Sequence, residues 1–456
     1  MDGNLSRDTP QHTDDAPVPT RTLDRQILAL AVPALGALVA EPLFVLVDSA
    51  VVGHLGTAQL AALSVASTLL TTLVGLCVFL AYATTAAVAR RIGAGHRREA
   101  LQSGVDGLWL ALGLGIALGA LLALVAPWAA HTLGAADDVA HYAAVYLRWS
   151  ACGLPGMLVV LASTGVLRGL QDTRTPLWVA SGGAVVNAGL NVALVYGAGL
   201  GIAGSGIGTA ITQLTMAAVL CTVVVRGARR ERASLVPHAG GIWANARDGV
   251  PLFVRTLSLR AAILLTVFVA TALGEVALAG YQVVNSVWGF AAFALDALAI
   301  AAQALVGHRL GAGDVATTRR VLRRTLQWGV GAGALLGVLI AAGGWWFALL
   351  FTQDHDVRVA VAVGMAVCGL LMPMAGWVFV LDGVLIGAGD GRYLAWVGVL
   401  TFVVYVPVAL AVRAWAPDGA AGLAWLWLAF AGVFMAARAL TTGWRARGTD
   451  WMRTGA

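Results

Sequence analysis

Charged side chains are scarce in this chain of 456 residues. Asp, Glu, Lys and Arg together make up 11% of the sequence, against about 25% in ordinary soluble proteins. Hydrophobic residues make up 59%, and glycine occupies 56 positions. Such a balance excludes an ordinary soluble domain, because too little polar surface is available to face water. The composition instead predicts an all-α, polytopic membrane protein.

Cysteine is rare as well, with four residues in the whole chain. All of them lie inside apolar stretches and no two have C-x-x-C spacing, so neither a disulfide framework nor a metal site is predicted. We expect them to pack as small apolar side chains.

The N-terminal segment, residues 1–23, lacks the basic stretch and adjoining apolar core of a cleavable signal peptide. It is polar and contains several prolines and acidic residues. We interpret it as a disordered cytoplasmic tail.

Long apolar stretches separated by glycine-rich or charged breaks predict twelve membrane-spanning helices. Their predicted limits are 26–50, 58–84, 100–127, 138–167, 175–196, 202–226, 246–270, 276–305, 322–350, 356–386, 393–413 and 419–441. Arginines cluster after the even-numbered spans and are sparse after the odd-numbered ones. Because positively charged loops stay in the cytoplasm, both termini are predicted to be cytoplasmic. The net charge of +6 therefore reflects membrane topology, and we expect no nucleic-acid partner.

The two halves of the chain repeat one another in a single register of 218 positions. Matching pairs include Pro33 and Pro251, Pro155 and Pro373, and the RIGAG and RLGAG sequences that begin at Arg91 and Arg309. Six spans in each half give both halves the same orientation, so a pseudo-twofold axis along the membrane normal is predicted. The predicted divisions are a tail at 1–23, an N-lobe at 24–226, a cytoplasmic linker at 227–244, a C-lobe at 245–445 and a cytoplasmic tail at 446–456.

Several segments together resemble the multidrug and toxic compound extrusion (MATE) family, and its DinF-type bacterial branch in particular. These are EPLFVLVDSAVVGHLG from Glu41, RRIGAG and HRLGAG after spans 2 and 8, LRGLQDTRTPL after span 4, and VLDGVLIGAGDGR near span 10. The resemblance covers residues 24–445. It implies an antiporter that alternates between inward-open and outward-open V shapes and exports amphipathic, usually cationic, organic compounds against protons or sodium ions.

The first span carries two carboxylates and a proline within an apolar stretch. Glu41 and Asp48 are seven residues apart, about two helical turns, and therefore point roughly the same way. A charged carboxylate at that depth costs roughly 3 kcal/mol, so a functional role is the first hypothesis. Pro42 removes a backbone hydrogen bond and predicts a kink. Glu41 either lines the cavity beside Asp48 or acts at the opening between the lobes.

The resemblance implies an ion-coupling site in the first half. In that branch the site draws on the span 1 Asp, an Asn and a carboxylate in span 5, and a Thr in span 6. Asp48, Asn187 and Thr209 stand at these positions, whereas Asn191 replaces the second acid. The missing carboxylate weakens a sodium site, while burial and the charge of Glu41 disfavour the ionised form of Asp48. We therefore favour the proton, with sodium held by Asp48 and Asn187 as the alternative; the asparagines could also serve only as a helix–helix contact.

The second half also carries charged residues within its spans. Arg255 and Arg260 lie in span 7, Asp296 in span 8 and Asp382 in span 10. They either neutralise one another as buried pairs, or Asp296 or Asp382 contacts a cationic substrate. Trp288 in span 8 either stacks on a flat cation or packs in the core. All five are candidates for a substrate cavity between the lobes.

Three other classes of protein have fewer features in common with this sequence. A major-facilitator transporter would carry a Gly-x-x-x-Asp-Arg pattern after span 2, where this chain has VARRIGAGHRRE. A flippase for lipid-linked oligosaccharides would line its cavity with cationic residues, and Arg255 and Arg260 keep that alternative open. No metal-ligand cluster or nucleophile–base pair indicates an enzyme. We expect a monomer without a cofactor in the cell (inner) membrane, in contact with the lipid bilayer and with small organic cations or amphipathic compounds.

Overall fold

The computed structural model describes residues 19–132 and 136–455. Within this part of the chain the regular secondary structure is helical throughout, which confirms the all-α class. Twelve membrane-spanning helices correspond to the predicted spans. They are α1 (Thr20–Gly53), α2 (Thr57–Gly93), α3 (Arg97–Thr132), α4 (Asp137–Ala151 and Leu154–Gly169, bent by 52°), α5 (Arg174–Gly197), α6 (Ile202–Arg230), α7 (Ala239–Ala272), α8 (Glu275–Gly311), α9 (Val315–Phe351), α10 (His355–Gly387), α11 (Gly391–Trp415) and α12 (Ala420–Arg447).

Many of the helices extend beyond the limits predicted from hydropathy. α6 continues to Arg230 and α7 begins at Ala239, so the predicted linker 227–244 shortens to residues 231–238. α1 begins at Thr20, inside the predicted disordered tail 1–23, of which residues 1–18 lie outside the described part. Hydropathy marks only the stretch in hydrocarbon, whereas backbone hydrogen bonding continues into charged turns at the interface.

α1 runs as one helix through both of its prolines. The hydrogen-bonded helix is uninterrupted at Pro33 and Pro42 and ends only at Gly53. The structure therefore contains no break in α1 at Pro42, and a kink there remains a prediction.

The helices form two lobes, α1–α6 and α7–α12, that share a hydrophobic core at one end only. We call this end the arginine-rich face, because it carries the start of α1, residues 448–455 and the loops after the even-numbered helices. Here Leu23, Ile27 and Ala34 of α1 pack in one core with α8 and α10 residues such as Leu305 and Val384. Towards the opposite face each lobe has cores of its own. The lobes are therefore joined at the arginine-rich face.

α2 and α8 make the closest contact between the lobes, at two glycines of the repeated RIGAG and RLGAG sequences. A methyl group at Gly93 would overlap the carbonyl oxygen of His308, and one at Gly311 would overlap that of Arg90. The two backbones thus meet directly, which residues larger than glycine would prevent.

The C-terminal segment (448–455) reinforces this contact. Trp451 is only 1% exposed and belongs to the shared core. Arg90 of the N-lobe donates to the carbonyl oxygens of Ala388 (2.6 Å), Arg453 (3.0 Å) and Gly455 (2.9 Å). The predicted tail 446–456 is therefore largely a packed element that ties the lobes together.

Candidate ion-coupling site

The buried carboxylate of Asp48 is the centre of a polar site inside the N-lobe. Its Oδ1 atom accepts hydrogen bonds from the amide of Asn191 and, at 3.4 Å, from that of Asn187. Its Oδ2 atom accepts from the hydroxyl of Thr209 at 3.4 Å. Side chains from α1, α5 and α6, which the sequence analysis assigned to one site, thus lie in contact with each other. All of the donors are neutral, and no cationic side chain pairs with Asp48 in the described chain.

The two asparagines are fully buried and contact each other as well as Asp48. The Asn191 amide donates to Asn187 Oδ1 at 2.7 Å, as expected for residues one turn apart. Asn191 Oδ1 is buried and has no hydrogen-bond partner. A π-helical turn, Ala193–Gly197, begins two residues later. Such turns are frequent at functional sites, and an unpaired buried acceptor leaves room for one more donor or cation.

A cavity of about 210 Å³ within the N-lobe adjoins this site. Asp48, Asn187 and Thr209 lie in its wall together with the apolar side chains of Phe44 and Met157. The remaining lining also comes from α1, α2, α4, α5 and α6. None of the five second-half candidates lines this cavity.

Glu41 lines the same cavity and faces a cation of the other lobe. Its side chain is open to the cavity, and Arg260 of α7 interacts with it electrostatically. Arg260 also lies against Gly75 of α2. Arg168 of α4, in the cavity wall, interacts in turn with Asp296 of α8. In each case the two opposite charges belong to different lobes.

Asp382 is part of a buried ion cluster inside the C-lobe. Its Oδ2 atom accepts from the guanidinium groups of Arg255 and Arg438, and the carboxylate is only 4% exposed. An acid held by two arginines is already neutralised and cannot serve a cationic substrate. The assignment of Asp382 and Arg255 to a substrate cavity is therefore replaced by the buried pairing that was its alternative.

The sequence profile of the MatE family matches residues 33–193 and again residues 251–411. The two matches are offset by the same 218 positions as the internal repeat. The chain belongs to the MATE family. Membership makes it a transporter rather than an enzyme, and MATE transporters need no cofactor.

Two known proteins and one solved MATE structure match the chain over most of its length. Protein DETOXIFICATION 44, chloroplastic, of Arabidopsis thaliana is 32% identical, and the match covers 96% of this chain and 85% of that protein. DNA damage-inducible protein F of Escherichia coli is 27% identical over 80% of this chain and 81% of its own. The bent form of the Vibrio cholerae MATE transporter VcmN has the same fold, with a TM-score of 0.84, 22% identity and coverage of 95% and 98%. The resemblance inferred from sequence motifs is confirmed at the level of the family.

The repeat of this MATE chain explains why Trp288 does not line the cavity. Trp288 is 9% exposed and packs against Trp427 and Phe430 in the core of the C-lobe. In the 218-residue register it corresponds to Leu70, which lines the N-lobe cavity. Indole rings therefore fill the C-lobe where the N-lobe is hollow, and Trp288 adopts the core packing that was one of its two alternatives.

Two buried arginines of this MATE protein, Arg168 beside the cavity and Arg438 beside Asp382, are not among the candidate residues of the sequence analysis. Arg168 directly follows predicted span 4, where a loop arginine is expected, yet it is buried and lines the cavity. Arg438 lies within predicted span 12. Their partners in the register are Ile386 and Leu220. Each is thus a charge present in one half only, as is Asp48, whose counterpart in the register is Thr266.

Proposed function

We propose that this chain exports amphipathic organic compounds by alternating access, coupled to a proton that binds Asp48. One observation carries the proposal: the buried carboxylate is surrounded by neutral donors, and no arginine or histidine of residues 19–132 and 136–455 is paired with it. Leaving a buried charge unpaired costs about 3–5 kcal/mol. Asp48 must therefore acquire a proton or a metal cation whenever water leaves the site.

The donor set supports a proton over sodium. A sodium ion needs several oxygen ligands, yet Asn187 and Asn191 turn their amide N–H groups towards Asp48. With Asn191 in place of a second acid, one carboxylate has to offset the whole desolvation cost of the ion. Protonation removes the charge itself and requires no further ligand.

The cavity supports an amphipathic and cationic substrate. Its wall is mostly apolar, as expected of a ligand site with few polar groups. Asp48 and Glu41 supply two acids, and Arg168 supplies one cation. A substrate bound here would compete with the proton for the Asp48 carboxylate, which would couple export to proton entry.

The join between the lobes supports an outward-facing state. We propose that the arginine-rich face is cytoplasmic, as the distribution of arginines favours, and that the chain lies in the cell membrane with both termini inside. Separation of Gly93 from His308 and of Arg90 from the C-terminal segment (448–455) would then open the cavity to the cytoplasm.

Transport by purified protein in liposomes tests the coupling ion. Export of a fluorescent cation is measured under an imposed pH gradient and, separately, under a sodium gradient. We expect export to follow the pH gradient and Asp48→Asn to reduce it at least about tenfold, since the variant cannot exchange a proton. Asp356→Asn, an exposed acid on the opposite face, is the matched control. Export driven by sodium at zero pH gradient would refute proton coupling.

A flippase for lipid-linked oligosaccharides is the second candidate, because Arg168 and Arg260 lie beside the cavity. Each of these arginines interacts electrostatically with an acid of the other lobe, and this interaction disfavours binding of an anionic headgroup. Flippase activity would appear as translocation of a labelled phospholipid analogue in the same liposomes, without any pH gradient.

A further inference from the structure

A long groove runs along the outside of the C-lobe between α9 and α12, with α10 at its base. Two adjoining hollows of about 910 and 540 Å³ form it, and both are lined by Val330, Trp377 and Arg447. We call it the α9–α12 groove. It lies away from the N-lobe cavity and shares no residue with it.

The end of the groove at the arginine-rich face is strongly cationic. Arg319 and Arg323 of α9 and Arg447 of α12 line it, and all three are exposed. Among the described residues none of them forms an ion pair, and no acid lines either hollow. Arg319 and Arg323 are four residues apart and so lie on the same side of α9. Three guanidinium groups thus converge without a counter-charge.

The rest of the groove is apolar and extends into the depth of the membrane. Leu326 and Val330 follow the arginines along α9, and Met374 and Leu440 lie opposite on α10 and α12. Trp444, which is 76% exposed, stands at the edge of this apolar part. Tryptophan is typical of the level of the lipid headgroups. The polarity of the groove therefore changes along its length as that of a phospholipid does.

We infer that the α9–α12 groove binds one anionic phospholipid, with its phosphate at the three arginines and an acyl chain along the apolar part. Arginine matches phosphate oxygens through paired hydrogen bonds, and basic pockets between helices bind acidic headgroups. A free phosphate would leave the apolar part without a partner. A zwitterionic lipid would leave three positive charges without compensation.

A lipid in this groove also contacts the element that ties the lobes together. Gly448 and Met452 line the groove, and both belong to the C-terminal segment (448–455), whose carbonyl oxygens bind Arg90. The bound lipid therefore stabilises the joined arginine-rich face. This role is independent of the coupling ion and of the exported compound.

Lipid titration of the full-length protein tests the headgroup site. Phosphatidylglycerol is added to protein in phosphatidylcholine nanodiscs, and retained lipid is measured by native mass spectrometry. Each arginine near an anionic surface is worth roughly fivefold in affinity, so the triple variant Arg319→Gln, Arg323→Gln, Arg447→Gln should bind about a hundredfold more weakly. The control replaces three exposed arginines at the end of α6 and in the loop after it with glutamine: Arg229, Arg230 and Arg232. Equal loss in both variants would overturn the site, since only net charge would matter.

Filling the groove tests the acyl chain without altering any charge. Val330→Trp should abolish retention of phosphatidylglycerol, whereas Leu335→Trp, at a lipid-exposed position of α9 outside the groove, should leave it unchanged. Both variants are first shown to unfold at the temperature of the unsubstituted protein in phosphatidylcholine alone. Retention unaffected by Val330→Trp, or saturation of the site by inorganic phosphate, would refute a lipid ligand. Stoichiometric pairing of two chains through this face would refute it as well.

Discussion

Two buried aspartates of this protein differ because their partners differ. Asp48 and Asp382 are 5% and 4% exposed, so burial alone does not distinguish them. Asp48 accepts hydrogen bonds from neutral amide and hydroxyl groups, whereas Asp382 accepts from two guanidinium groups. The first can gain a proton without breaking an ion pair, and the second cannot. Of the two, Asp48 alone has the surroundings that the proposed proton exchange requires.

The Asp382 cluster should be a determinant of stability rather than of coupling. Asp382→Asn removes the carboxylate that both Arg255 and Arg438 contact and leaves the two buried arginines beside each other, which should cost about 3–5 kcal/mol. Arg438→Met should cost less, because Arg255 and Asp382 remain as a neutral pair. Thermal unfolding of both variants in nanodiscs shows which of them loses more stability, and Asp356→Asn is the exposed control. A larger loss for Arg438→Met than for Asp382→Asn would contradict the charge argument.

The residues of the ion site could be predicted from sequence more reliably than those of the C-lobe. Asp48, Asn187, Asn191 and Thr209 are polar groups in apolar spans, and such groups must meet partners; the structure brings all four together. Whether Trp288 lines a cavity or packs in the core could not be predicted in this way. A large aromatic side chain is common in both environments, and which one it occupies depends on its neighbours in the folded structure.

At the scale of helices, hydropathy located every span but not the helix ends. The predicted break after span 2, for example, lies at residue 84, whereas α2 continues to Gly93. Those extra turns include Arg90 and Gly93 and carry the contact between the lobes. The repeated glycines at 93 and 311 were recognised as a sequence repeat, but their role depends on the crossing of α2 and α8, which no local pattern specifies.

Gly93→Ala should separate the lobes at the arginine-rich face. The added methyl group would overlap the His308 carbonyl, a backbone atom that cannot turn aside. Gly331→Ala, at a helical glycine with open space around it, is the matched control. Spin labels at Arg98 and Ala316, in a background without native cysteines, report the distance between lobes by electron paramagnetic resonance. We expect a second, longer distance for Gly93→Ala only; an unchanged distribution would show that this contact does not hold the lobes together.

At the scale of the whole molecule, a symmetric fold carries an asymmetric set of side chains. Thr266 and Tyr405 occupy the positions that correspond to Asp48 and Asn187 in the repeat, and they are hydrogen-bonded to each other at 2.7 Å. The two lobes thus make the same helix contact with different chemistry. The counterpart of Thr209 is Trp427, which is 1% exposed and packs among aromatic rings. The C-lobe is therefore packed solid where the N-lobe has a cavity and an ionisable group.

This asymmetry predicts that the N-lobe cavity can be filled by a single substitution. The new side chain is the one that already occupies the equivalent position of the C-lobe. Leu70 lines the cavity, and its counterpart in the repeat is Trp288. Leu70→Trp should therefore fold, fill a cavity of about 210 Å³ and reduce export at least about tenfold by excluding the substrate. Leu124→Trp, on the lipid-exposed side of α3, is the control, and transport is measured in liposomes under a pH gradient. Full export by Leu70→Trp would place the substrate path between the lobes, beside Glu41 and Arg260, instead of inside the N-lobe.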